Sequence, residues 1–158
     1  MEQFFADYLE RLQSLHEDMK ETFKELPQTA LDWVPGADML SLCVIVVHTT
    51  GAERYWVGDV ACQDSSGRNR GAEFGVQGLE GAELINRLDQ SLVYVKGVTE
   101  KFKLDNLQEI RNSLRDDRKF TVGWALAHAL EHTALHLGHA QVTRQLWEQR
   151  EGSKGISK

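Results

Sequence analysis

The 158-residue chain has only two prolines, Pro27 and Pro35, and they sit close together. Proline interrupts a helix because it lacks the backbone N–H and its ring strikes the preceding turn. Long helices are therefore permitted on both sides of one short interruption. The hydrophobic pattern uses that freedom. Phe4, Phe5, Tyr8, Leu12, Leu15, Met19, Phe23 and Leu26 recur at three- and four-residue steps, predicting a first helix from about Glu2 to Leu26. Residues 27–38, with both prolines, Asp32 and Gly36, read as a connection. Asp38 or Ser41 can cap a second helix running to about Val60. Its Leu42–Val47 run is apolar on all sides and belongs in a bundle centre. The β-branched run Val44–Val47 also suits a strand. The pattern continues through Ala52, Tyr55 and Trp56, which favours helix.

The polar, Gly-rich residues 63–79 read as a loop long enough to cross a bundle end. A third helix is expected over Glu80–Lys103, with Leu84, Leu88, Leu92, Val95, Thr99 and Phe102 inward. Residues 104–120 are charged and weakly patterned. A last helix is expected from the N-cap Thr121 to about Arg150, followed by a frayed tail over 151–158. Four long helices with two long connections predict an all-α four-helix bundle, a single domain over residues 1–150.

Composition narrows the function. Net charge is -6, with Asp+Glu 24 against Lys+Arg 18. The densest basic stretch, Arg111–Lys119, also holds Asp116 and Asp117. Phosphate backbones require clustered, unopposed cations, so no nucleic-acid partner is expected. No stretch approaches the ~18 apolar residues of a membrane span, and the acidic N-terminal segment is not a secretory leader. Cys43 and Cys62 are too few for a disulfide framework and are expected as reduced thiols in a cytoplasmic protein.

Of six histidines, four lie in the last helix: His128, His132, His136 and His139. At ~100° per residue they fall near 0°, 40°, 80° and 20°, on one face. Imidazoles on successive turns can converge on one ion. The spacing allows either His128/His132 or His132/His136. A third ligand must come from another helix, and His48, in the most apolar helix, needs some partner because an unsatisfied buried imidazole is costly. His16, among Glu17, Asp18 and Lys20, is expected to be solvated. A competing reading is the protease pattern H-x-x-E-H at His128–His132, with Glu131 as general base. It also needs a distal acidic ligand and a cleft between large domains, for which this chain has little room.

The segment LDWVPGADMLSLCVIVVHTTGAERYW, with Trp33, His48, Glu53 and Trp56, resembles the DinB-like superfamily. So does WALAHALEHTALHLGHAQ, with its H-x-x-x-H followed by Gly at His132, His136 and Gly138. Length and helix order agree across nearly the whole chain. The departure is His139, where the family usually has Gln. The resemblance implies a bundle with non-sequential helix order, a homodimer, and one metal held by His48, His132 and His136. It further implies transfer of a low-molecular-weight thiol to a small electrophile, thiol-dependent isomerisation, or hydrolysis. The alternative is a non-catalytic binding or stress-response protein of the same fold.

Three neutral imidazoles leave a divalent ion an open position, as catalytic sites do. They suit zinc or nickel, with iron or copper also accommodated. Glu53 and Glu131 are candidates to orient an imidazole or move a proton, though each also reads as a solvated helix charge. Arg144 is a candidate to hold the carboxylate of a thiol cofactor, against a plainer surface ion pair. Cys43 is expected as a small core residue. Trp33, Trp56, Trp124 and Trp147 are expected in core or dimer packing.

Overall fold

The structure is a computed structural model that describes residues 1–155. Its long helices are α1 (Gln3–Phe23), α3 (Leu42–Glu53), α5 (Gly81–Thr99) and α6 (Val122–Gly155). Short helices α2 (Gln28–Leu31) and α4 (Arg70–Glu73) interrupt the first two connections. Both α1 and α3 pack on α5 and on α6, so the first two long helices lie diagonally across the bundle. The fold is all-α apart from a small hairpin, β1 (Ile110–Asn112) with β2 (Lys119–Thr121), paired antiparallel with Ile110 opposite Thr121. None of the described helices is long and apolar enough to cross a membrane.

The helix starts follow local chemistry. The Ser41 hydroxyl accepts from the Val44 N–H at 3.2 Å, and the Thr121 hydroxyl from the Trp124 N–H at 3.1 Å. Each satisfies one N–H that the first turn leaves unpaired. The Glu80 N–H donates to the Glu83 carboxylate at 2.9 Å at the start of α5.

Several expectations need correction. The second helix is α-helical only to Glu53; residues Arg54–Cys62 continue it as a π-helix, ending at Gln63 with φ 56°. At Gly58 a Cβ would collide with the Arg54 guanidinium, which instead passes close to the backbone to reach Asp59 and Asp64. Residues 63–79 are not wholly loop, because α4 folds within them under an Asn69 cap. Residues 104–120 form a 3-10 turn (Leu104–Gln108) and the hairpin. The last helix continues to Gly155, so 151–155 are helical; residues 156–158 of the expected tail lie outside the described residues.

The core has two apolar halves. One gathers Phe5, Tyr8, Leu12, Tyr55, Val95 and Leu126; the other gathers Met19, Phe23, Leu42, Ile45, Leu84 and Leu137. Between them in every long helix stands a polar residue: His16 on α1, Glu53 on α3, Ser91 on α5 and Thr133 on α6. The Glu53 carboxylate is 1% exposed. It accepts from His16 Nε2 at 2.8 Å, from the Thr133 hydroxyl at 2.7 Å, and from Ser91. His16 is therefore a buried core residue, not a solvated one. One carboxylate binding all three other helices fixes their mutual register.

Candidate metal centre

His48 projects from the middle of α3 towards α6, where His132 and His136 stand one turn apart. The ring centroids are 5.1 Å apart for His48–His132, 5.0 Å for His48–His136 and 4.4 Å for His132–His136. One ring nitrogen from each lies within 4.8 Å of the other two. Nitrogens at ~2.1 Å from a tetrahedral ion stand ~3.4 Å apart, so modest ring rotations close the set. Nδ1 of His132 is buried and has no hydrogen-bond partner among the described residues, a state that fits a ligand nitrogen but that His16 Nδ1 in the core shares. His48 Nδ1 meets Glu73 Oε2 at 2.8 Å, which leaves Nε2 as its free nitrogen. The donors therefore suit a transition-metal ion.

Electrostatics favour the ligand form. Burial, then the neighbouring His136 and His48, push His132 down to about 3. Burial, then His48 and His139, push His136 down to about 4. Burial also lowers His48, outweighing the opposing pull of Glu73. All three rings are neutral near pH 7, and neutral imidazole is what binds a metal.

The Glu73–His48 contact has its own support. Arg68 grips the Glu73 carboxylate with two nitrogens, Nε to Oε1 at 2.5 Å and Nη2 to Oε2 at 2.7 Å. Burial works to raise the Glu73 carboxyl, but Arg68 and His48 outweigh it and hold it below its ordinary value. A carboxylate on the far nitrogen of a ligand histidine fixes its tautomer and increases its basicity. The approach depends on Gly51 of α3. A Cβ there would collide with Glu73 Oε1 and stand 3.0 Å from Arg68 Nε.

Two more histidines flank the set. The His128 ring stacks on Trp124 at 4.8 Å and meets Trp56 edge-on, with Nδ1 3.4 Å from Glu131. His139 Nδ1 lies 3.4 Å from His136 Nδ1. Geometry thus brings the 132/136 pair, not 128/132, up to His48.

The other candidates lie elsewhere. Glu53 is no solvated charge: it is sealed in the core among His16, Ser91 and Thr133. Glu131 is the solvated one, its side chain 78% exposed beside His128. Arg144 clasps the end of α1, donating to the carbonyls of Glu21 at 2.8 Å and Lys24 at 3.2 Å, and pairs with Glu148. Its Nε and Nη1 are thus committed to Glu148 and to the end of α1. Cys43 is a buried core thiol, pushed up to about 12 by burial and by nearby Asp32. Trp33 packs on Trp147, and Trp56 on Trp124.

Sequence reasoning missed Glu73 and Arg68. They sit in the Gly-rich crossover, and nothing local says where it turns back. The only available signal was the unmet need of buried His48 for a partner.

A solved structure described as a conserved protein from Enterococcus faecalis superposes with a TM-score of 0.77. It covers 92% of this chain and 98% of its own, at 17% identity, and so shows the shared fold. No curated protein matches. The sequence matches the family described as mycothiol-S-transferase over residues 5–149, which takes in most of α1 and α6, all of α3 and α5, the crossover and all three convergent histidines. The chain belongs to the mycothiol-S-transferase family, within the DinB/YfiT-like superfamily.

Proposed function

We propose that this protein is a metal-dependent thiol S-transferase, in which His48, His132 and His136 hold one divalent transition metal ion beside the reacting sulfur. Zinc or nickel is the expected ion, and a low-molecular-weight thiol and a small electrophile are the expected substrates. The observation that carries the reading is the convergence of three neutral imidazoles, one with a buried, unpartnered nitrogen. Family membership supplies the thiol transfer. The reading includes a homodimer, carried over from the resemblance, and a cytoplasmic setting, expected from the two unpaired cysteines.

Each side chain then has a task. An ion held by three neutral ligands keeps its full positive charge, which favours the thiolate form of a sulfur donor. Glu73 accepts the Nδ1 proton of His48 and holds Nε2 towards the site. Arg68 keeps that carboxylate ionised and in place. His128, at the rim and only partly buried, is the group placed to carry the thiol proton away.

The test is elemental analysis of gently purified protein, followed by a transfer assay with and without added thiol. About one metal per chain, lost in His48→Ala together with activity, is expected. Metal-free protein that takes up neither zinc nor nickel would end the proposal. Turnover without thiol would move the assignment to a hydrolase.

A further inference from the structure

We infer that the arginine-lined cavity beside the histidines binds the carboxylate of a small acidic substrate. This deepens the transferase proposal and rests on it for the identity of the reacting centre. The cavity measures about 180 Å³, and His48 and His132 form part of its wall. Arg68, Arg70, Arg115 and Arg118 also line it, and no carboxylate residue does.

The four cations come from two irregular connections. Arg68 and Arg70 belong to the crossover around α4, and Arg115 and Arg118 to the β1–β2 turn. Two have internal anions: Arg68 pairs with Glu73, and Arg118 with Asp116. Arg70 and Arg115 have no carboxylate partner among the described residues. Their guanidinium groups instead lie over rings, Arg70 5.0 Å from the Phe74 centroid and Arg115 3.9 Å from that of Tyr55. Stacking of this kind holds a guanidinium plane while leaving its N–H edge free. Two free, oriented forks at one opening, in a chain of net charge -6, make a local positive focus.

Arginine forks match carboxylate geometry with paired N–H bonds. Arg70 and Arg115 share this small cavity with Trp56, His48 and His132, so an acid held by the two forks lies beside the histidines. The small volume favours a compact acid over a long one. A second cavity on the other side of the set, lined by His136, His139 and the apolar Met39, Leu40, Ile45 and Val142, has no comparable cations. The two approaches to the histidines thus differ in charge, and the acid belongs to the arginine side.

The experiment titrates succinate, its dimethyl ester and inorganic phosphate into the full chain, with calorimetry as the readout, in zinc-loaded and chelator-treated protein. Succinate is expected to bind both forms. An Arg70→Ala/Arg115→Ala double variant is expected to bind it at least roughly tenfold more weakly, with an unchanged melting temperature. The inference is overturned if succinate fails to bind, if the ester binds equally well, if phosphate binds as tightly as succinate, or if the double variant is unaffected. His136→Ala, which leaves the cavity wall intact, separates the two proposals. Succinate bound by a wild type that takes up no metal keeps this inference and removes the metal-dependent one. Metal lost in His136→Ala, with no succinate bound by wild type, does the reverse.

Discussion

Two histidine–carboxylate pairs in this molecule are the same length and behave differently. His16–Glu53 and His48–Glu73 are each 2.8 Å long, and all four side chains are buried. Glu53 has donors from three other helices closing around it, and the other nitrogen of its histidine is buried with no hydrogen-bond partner and no second imidazole beside it among the described residues. Glu73 arrives on a crossover, has one helper in Arg68, and its histidine keeps a nitrogen facing two more imidazoles. The first pair closes the bundle; the second leaves a valence open. The difference teaches that a histidine–carboxylate contact is not itself a functional signature. What surrounds the remaining nitrogen decides.

The sharpest way to break this comparison is Glu53→Ala. It strands the buried His16 N–H, takes an acceptor from Thr133 and from half-buried Ser91, and leaves a void between the apolar halves, so a loss of ~3–5 kcal/mol is expected in urea unfolding. A loss below ~1 kcal/mol would mean the polar layer does not hold the register. His48→Ala should instead abolish tight metal binding. Zinc should then no longer raise the melting temperature, whereas wild type gains stability by ~2.7 kcal/mol at one hundred times the dissociation constant. Glu73→Gln is expected to weaken metal binding by ~10–100-fold, and to cost some metal-free stability by leaving buried Arg68 without its counter-charge, though less than Glu53→Ala because the amide oxygen still accepts. A Glu73 variant as destabilised as the Glu53 one would erase the distinction. Gly51→Ala should act in the same direction as Glu73→Gln but less strongly, because the carboxylate is displaced and not removed. Calorimetric zinc titration of both variants, read beside their unfolding curves, gives the order.

The parts of this structure that the sequence disclosed are those set by local rules. Ser41 and Thr121 could be read as caps because each bonds its own first turn. The bundle was legible in the three- and four-residue spacing of Leu12, Met19, Leu84 and Leu88, all of which are buried. His132 and His136 were legible as a helical pair, but His128 fitted the same spacing, and only the position of α3 separates them. His16 was misread from its charged neighbours, although it continues the step from Leu12 towards Met19 and Phe23. Glu73 and Arg68 were signalled only by the need of buried His48 for a partner, and Arg115 by nothing. Their positions come from how two irregular connections fold over the bundle, and composition there signals only flexibility and solvation.

Gly51 carries a condition for any chain built on this plan. Inside a helix, glycine is less favourable than alanine by ~1 kcal/mol, so a bundle selected for stability alone would discard it. Its presence one turn after His48 marks a place where bare backbone serves as a landing surface for the crossover. A bulkier residue there would push the Glu73 carboxylate and the crossover that carries it away from His48. One small residue thus lets the crossover close over His48.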